Sequence, residues 1–335
     1  MNNYKYMVCV RCFTYNHAPY IVDTLNGFAA QQTTFPFICL IIDDASTDDE
    51  QKVIMNYLSE HCHQLNEENT DYAQIICSQH KANINCQLVV LLLRQNHYSI
   101  RKPKMPYLKK WNDSAKYHAM CEGDDYWIHP QKLQMQVDFM ESHQDYGLIH
   151  TDFDLSDKSK RNHYKERYED DNYFPGIIFN GAAIGTLTVL YRASVFNRLD
   201  FDYLKLNLPM GDLPMWIEFS KEAKIKYLNV VTADYRILSE SAQHSSDINK
   251  LITFRQKALE CKQYYANKYG LVLKDGGYTK TYYSDIMKFA YRLGDKSVAH
   301  NYLKKAIGKG KLSLKLVVFY MGTVVPGLRT IIGKH

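Results

Sequence analysis

The chain has 335 residues, 46% hydrophobic and 23% charged, the balance of a folded protein with room for one large domain or for a domain with an appendage. Its formal net charge of +5 is too mild to argue for nucleic acid as a partner. No run approaches the ~18 apolar residues needed to span a bilayer, the longest candidate, Leu316 to Leu328, being broken by Gly322, Thr323 and Pro326.

In chain order, Met7 to Phe13 is an apolar run that predicts a buried strand, followed by the polar loop Thr14-Tyr15-Asn16-His17-Ala18-Pro19. Ile21, Leu25, Phe28 and Ala29 recur at helical spacing, so Tyr20 to Gln31 is expected to be a helix. Phe37 to Ile42 is a second apolar strand, ending in Asp43-Asp44-Ala45-Ser46-Thr47-Asp48. Thr47 or Asp48 is placed to cap a helix over Glu50 to Cys62. Ala73 to Cys77 predicts a third strand, and the order β-α-β-α-β predicts a parallel sheet with helices on its faces. Asn85 to Gln95 has the look of a buried helix. Tyr117 to Cys121 is a strand running into Glu122-Gly123-Asp124-Asp125-Tyr126-Trp127. Lys132 to Ser142 is helical, Tyr146 to Thr151 a strand, and the polar, aromatic-rich stretch 154–175 a mobile loop. Thr186 to Tyr191 is a β-branched strand, Asp212 to Ala223 a helix and Ile225 to Asp234 a strand. Beyond Lys250 helical patterns dominate, which divides the chain into an α/β domain, 1–245, and a helical C-terminal region, 246–335. Within that region Phe289 to Ala306 resembles one helix–turn–helix pair of the tetratricopeptide kind.

The eight cysteines fall mostly in apolar runs, and the Cys9/Cys12 pair lies on a strand, where residues three apart face opposite sides. No Cys/His partner follows at zinc spacing, so reduced core thiols and a cytoplasmic protein are expected. The N-terminus shows no signal peptide. Leu303 to His335 carries seven Lys or Arg and no acid, a pattern suited either to a solvated tail or to an anionic membrane surface.

In open α/β sheets ligands bind outside the carboxyl ends of the strands. Three loops in such positions are polar here: Thr14-Tyr15-Asn16, Asp43-Asp44-Ala45-Ser46 and Glu122-Gly123-Asp124-Asp125. The chain has neither G-x-G-x-x-G in the first turn nor a G-x-x-x-x-G-K-[ST] loop, so a phosphate ligand needs another partner. Adjacent carboxylates at the end of a buried strand are costly unless paired, and a hard divalent cation shared with a diphosphate would pair them.

Phe13-Thr14-Tyr15-Asn16, Ile42-Asp43-Asp44-Ala45-Ser46-Thr47-Asp48, Glu122-Gly123-Asp124-Asp125-Tyr126-Trp127 and Gly211-Asp212-Leu213-Pro214 together resemble the inverting glycosyltransferases of family 2, over residues 5–240. The resemblance implies the GT-A fold: Rossmann-like α/β, a mostly parallel sheet with helices on both faces, here extended by C-terminal helices. It implies a nucleotide-sugar donor, UDP-linked first, and Mg²⁺ or Mn²⁺. It places Tyr15, with Thr14 and Asn16, against the base, and Asp44 on the base ring N–H. Asp124 falls near the ribose and the metal, Asp125 on the metal, and Asp212 at the general base. Glu122, Trp127, Arg236 and His244 are further candidates near the diphosphate or the site wall, with a place in the core equally open to Trp127, an ion pair to Arg236 and a surface position to His244. The Q-x-x-R-W motif and membrane helices of processive members are absent, which implies transfer of one sugar to a glycan or lipid-linked acceptor, in bacterial surface polysaccharide synthesis by the usual context. The stretches 154–175 and 181–186 would line the acceptor side. Two other readings compete: a sugar nucleotidyltransferase, disfavoured because Phe13 to His17 has no Gly, and an inactive sugar-nucleotide-binding protein, disfavoured by the presence of Asp124, Asp125 and Asp212 together.

Overall fold

The computed structural model describes residues 4–156, 161–162, 169–181, 184–238, 247–272, 277–325 and 328. The chain forms two compact units: one of Met1–Tyr173, Ala183–Leu199 and Glu218–Arg236, the other of Phe174–Ala182, Asp200–Ile217 and Ile237–His335. The second unit therefore draws two separate segments from before residue 245, and its last segment begins at Ile237.

The first unit holds the sheet. In order along the chain come β1 (Tyr6–Thr14), α1 (Ile21–Ala29), β2 (Phe37–Asp43), α2 (Glu50–His61), β3 (Cys62–Asn69), β4 (Ala73–His80), β5 (Cys86–Leu93), α3 (Met105–Asn112), β6 (Ala115–Met120) and β7 (Tyr126–Trp127). They are followed by α4 (Lys132–Ser142), β8 (Tyr146–Leu155), β9 (Arg161–Asn162), β10 (Leu190–Arg192), the four-residue helix α6 (Ala193–Phe196) and β11 (Lys224–Tyr235). The strands make one eleven-stranded sheet, ordered β3-β4-β5-β2-β1-β6-β10-β8-β11-β7, with β9 beside β8. The expected parallel pairing holds for β1 and β2, but the third expected strand, within β4, runs antiparallel to β5, and the parallel centre is β5-β2-β1-β6. Antiparallel strands flank that centre, so the sheet as a whole is mixed.

All seven residues of β2 are buried, as expected of a strand covered on both faces. Ile21, Leu25 and Phe28 of α1, Ile54 of α2 and Leu133 of α4 pack with Val8, Val10 and Cys12 of β1. Leu108 and Trp111 of α3 pack with Cys9, Ile38 and Leu40, so helices cover both faces. Cys9 and Cys12 thus belong to opposite sides of the sheet. All eight cysteines are free.

Residues 85–95 are not a helix. They form β5, central between β2 and β4. Cys-Gln-Leu-Val-Val-Leu-Leu-Leu is almost continuously apolar, and such a run carries no period by which helix and buried strand can be told apart. The partner strands decide it. Residues 186–191 are strand only from Leu190, because Thr188 turns back to donate from both its N–H and its Oγ1 to the Gly185 carbonyl. The strand β3, Cys-His-Gln-Leu-Asn-Glu-Glu-Asn, is exposed from His63 onward and has no alternation to announce it.

The described residues of the second unit are helical: α5 (Gly176–Asn180), the first half of α7 (Asp212–Glu222), α8 (Ile248–Lys268), α9 (Gly277–Leu293), α10 (Lys296–Gly308) and α11 (Leu314–Val324). Three of the late helices, α8, α10 and α11, are capped by side chains. Asp247 accepts from Asn249 N–H, Asp295 from Val298 N–H and Ser313 from Leu316 N–H. Gly294 (φ +75°) turns α9 into α10, giving the expected helix pair. Leu251, Ile286, Met287, Ala290, Ala299 and Leu316 form this unit's own core. No helix among the described residues is long and apolar enough to cross a membrane.

Candidate functional site

The polar loops after β1 and β2 are tied into one piece. Asn16, at φ +57° in the left-handed region that Asn tolerates, accepts at Oδ1 from Thr47 N–H (2.8 Å). Its own N–H donates to Ser46 Oγ (2.9 Å). Glu50, fully buried at the start of α2, braces both loops: its carboxylate accepts from Thr14 Oγ1, His17 N–H (2.8 Å) and Ser46 Oγ (2.8 Å). Burial raises the Glu50 carboxyl above its usual range despite these donors. Asp48 accepts from Glu50 N–H (3.0 Å) and Ala18 N–H (3.0 Å), but the N-cap of α2 is Asp49, whose side chain makes no cap hydrogen bond.

The loop after β6 lies against β1. Cys121 N–H and Gly123 N–H donate to the Arg11 and Phe13 carbonyls (both 3.1 Å), extending the ladder past the end of β6. Thr24 of α1 donates to both the Gly123 and Asp125 carbonyls (3.0 and 2.6 Å) and fixes this backbone from below. Gly123 is dictated by space: a Cβ there would sit 2.0 Å from Thr14 Oγ1.

Asp125 is 4% exposed and accepts at Oδ1 from Arg236 N–H (2.9 Å). Burial, with the charges of Asp124 and Glu122 adding to it, pushes its carboxyl up to about 8 against the opposing pull of Arg236. Asp124 is half-buried. Its Oδ1 is buried without a hydrogen-bond partner, and its Oδ2 lies 3.9 Å from His17 Nε2. Arg236 donates to the Asp124 carbonyl (2.7 Å), pairs with Asp23 and lies over the Tyr126 ring (4.4 Å). A buried carboxylate oxygen lacking a donor, beside a second carboxyl held toward protonation, fits a cation-binding role. No group of three or more His, Cys, Asp or Glu able to hold a metal gathers among the described residues. The protein would then supply two carboxylates and leave the remaining positions to phosphate oxygens and water, as Mg²⁺ sites commonly do.

Asp44, 3% exposed, is fully engaged. Oδ1 accepts from His97 N–H (2.8 Å), and Oδ2 from Tyr98 N–H (3.0 Å) and Lys104 Nζ (2.6 Å). Burial opposes ionisation there, yet Lys104 and the two backbone donors hold the carboxyl below its usual range. Asp43 is structural on one side, accepting at Oδ1 from Ser46 N–H and Gln51 Nε2, while its buried Oδ2 has no partner. Tyr15 presents its ring to solvent at 40% exposure, and Glu122 is exposed. Trp127 belongs to the core. Its Nε1–H donates to the Leu187 carbonyl (2.8 Å) and its ring meets Phe28 edge-on at 4.9 Å.

Beneath Trp127 lies Lys132, completely buried, with Nζ 4.4 Å from that ring and 2.8 Å from Gln136 Oε1. Burial lowers its ammonium from 10.5 to about 7. A base depressed in this way costs stability in full below pH ~7 and nothing above pH ~10.5, where both folded and unfolded chains are neutral. Lys132→Met is therefore expected to gain most in melting temperature relative to the parent near pH 6, with the difference shrinking steadily toward pH 10. A pH-independent difference would mean that Lys132 is charged in the folded chain throughout.

Asp212 opens α7 in the second unit. It is a half-buried residue whose Oδ1 accepts from Leu213 N–H (2.8 Å), and burial raises its carboxyl above the usual range. His244, together with residues 157–160 and 163–168 of the stretch 154–175 and residues 182–183 of the stretch 181–186, both expected on the acceptor side, lies outside the described residues. Glu50, Thr24 and Lys104 carry roles that no motif signalled. The one hint was a Glu three residues after Thr47, at the start of a helix.

No protein-family model matches the chain. The uncharacterized protein Rv1520 of Mycobacterium tuberculosis (strain ATCC 25618 / H37Rv) is 33% identical over 130 residues, 39% of this chain and 30% of that protein. The uncharacterized protein Mb1547 of Mycobacterium bovis matches with the same figures. The alignment thus spans under a third of these relatives' length. Similar solved structures include S. aureus TarS 1–349 in complex with UDP (TM-score 0.47, 15% identity, 94% of this chain and 90% of that one). A mannosyltransferase from Pyrobaculum calidifontis, PcManGT, in complex with GDP-Man and Mn²⁺ gives TM-score 0.48 at 14% identity over 97% and 88%. Glucosyl-3-phosphoglycerate synthase from Mycobacterium tuberculosis, in complex with Mn²⁺, UDP-Glc and phosphoglyceric acid, gives 0.43 at 11% over 81% and 82%. Likeness at this depth assigns neither activity nor site residues.

Proposed function

We propose that the chain is a metal-dependent, inverting glycosyltransferase of the GT-A, family 2 kind. It moves one sugar from a nucleotide sugar, UDP-linked first, to a hydroxyl of a glycan or lipid-linked acceptor in surface polysaccharide synthesis. One observation carries the reading: the buried, unpartnered Asp124 Oδ1 stands next to Asp125 at the carboxyl end of the parallel strands, where the loops after β1 and β2 also end.

Asp125 and Asp124 would hold Mg²⁺ or Mn²⁺. When bound, the cation offsets the charge that grows on the leaving diphosphate. Tyr15, with its exposed ring, lies against the base, and Thr14 and Asn16 shape that loop. Asp44 faces the base from the second loop, with Lys104 beside it. Arg236 orients Asp125 through its backbone N–H. Asp212 accepts the proton of the attacking hydroxyl as the new C–O bond forms and the bond to the diphosphate oxygen breaks, which inverts the anomeric carbon.

Titration calorimetry with UDP tests the metal assignment. The parent is expected to bind UDP more tightly with Mn²⁺ or Mg²⁺ than in EDTA, and Asp125→Ala to lose that metal-dependent gain. Equal metal dependence in parent and variant would remove Asp125 as a ligand.

A further inference from the structure

The hairpin of α10 and α11 carries an apolar surface that the described residues leave exposed. Ile307 is 57% exposed, Leu312 48%, Leu314 82%, Val318 40% and Met321 41%. Leu314, Val318 and Met321 follow the i, i+4, i+7 spacing of one helix face. The opposite face of α11, through Leu316 and Phe319, is locked into the unit's core, so the helix cannot turn the exposed side chains inward. Gly310 (φ +62°) makes the tight turn that places Ile307 and Leu312 on either side of the hairpin tip.

The charge around this surface has one sign. Lys304, Lys305, Lys309 and Lys315 are exposed, and the sequence from Lys296 to His335 contains no Asp or Glu. The nearest acid along the chain, Asp295, caps the far end of α10, thirteen residues and roughly 20 Å from the tip. Asp285 of α9 is within ion-pair distance of Arg255.

We propose that the α10–α11 hairpin docks on an anionic lipid bilayer, its apolar side chains entering the acyl boundary and its lysines meeting the headgroups. A second copy of the chain fits worse, because a self-complementary contact would bring the lysines of both copies together. A soluble polyanion would pair with the lysines and leave the apolar side chains with nothing to gain. A bilayer with anionic headgroups satisfies both sets at once.

The test is co-sedimentation of the full chain with vesicles of phosphatidylcholine alone, or with 40 mol% phosphatidylglycerol (about two in five headgroups anionic, enough for a strong surface potential). The parent is expected to pellet with the anionic vesicles and stay in solution with the neutral ones. Leu314→Glu with Val318→Glu is expected to lower the partition coefficient roughly ten-fold or more. Lys309→Gln with Lys315→Gln is expected to lower it about five-fold per charge. All four positions are exposed, so melting temperatures should match the parent's, and Leu314→Ser supplies a milder apolar deletion should the acidic pair unfold. Partition that responds to the lysines alone would reveal a polyanion surface and overturn lipid docking. So would equal pelleting with neutral vesicles, or a dimer in sedimentation velocity that the Leu314→Glu pair dissolves.

Discussion

Asp212→Asn is expected to lower turnover by about 10³-fold while UDP affinity in the presence of Mn²⁺ stays within about two-fold. The substitution is nearly isosteric, and an Asn oxygen can still accept the Leu213 N–H that the aspartate accepts at 2.8 Å. The helix start therefore persists, and what disappears is a carboxylate able to take a proton. Burial raises the Asp212 carboxyl, which brings a weak base nearer to the range in which a general base works well. The same shift predicts that the acid limb of kcat/KM in the parent lies above the ordinary aspartate range. Single-turnover rates with saturating donor would separate chemistry from binding. Unchanged turnover in Asp212→Asn would withdraw its role as base and leave it as a helix-terminal carboxylate.

Gly123→Ala should be the most damaging small substitution in the first unit. The new Cβ would fall 2.0 Å from Thr14 Oγ1 and 2.5 Å from Thr14 Cβ. Neither is the free end of a flexible side chain: Thr14 lies in β1, and its hydroxyl is committed to Glu50. Relief requires the loop after β6 to move away from β1, which breaks the hydrogen bond from Gly123 N–H to Phe13. We expect a loss of about 3 kcal/mol, the upper part of the range for overpacking, and a fall in melting temperature of roughly 6–12 °C. Gly211→Ala serves as the control, since a Cβ there meets nothing within 4 Å. UDP binding should fail in Gly123→Ala and survive in Gly211→Ala. A melting temperature for Gly123→Ala within a degree of the parent's would show that β1 and this loop yield cheaply.

The legible parts of the fold were those whose side chains carried a period or a stop. α1 came from apolar spacing, and β1, β2 and β6 from apolar runs ending in polar loops, while α4, α7 and β11 were read as helix, helix and strand. β5 was misread as a helix because a continuously apolar run is silent about its period, and only pairing with β2 and β4 settles it. β3 was missed for the opposite reason. It is polar along its length and exists through its pairing with β4. α3 was also missed, a short helix with Pro106 in its first turn and two lysines in its last. At the site, the order of the polar loops was readable, but their fastening was not. Glu50 reaches back some thirty residues to Thr14 and His17, and Lys104 sixty to Asp44. Trp127, open in the sequence to either the site wall or the core, fills the core. Arg236 was read either as a diphosphate partner or as an ion-paired arginine. It pairs with Asp23 and also braces Asp125.

The brace formed by Glu50 has a thermodynamic consequence for whatever ligand settles on the first two loops. Their backbone N–H groups and hydroxyls already answer to one carboxylate and to Asn16, so these loops are ordered when the chain folds rather than when a ligand arrives. Binding there escapes most of the conformational-entropy penalty that a loose loop would impose. Its heat-capacity change should then track the surface covered, with little contribution from coupled folding.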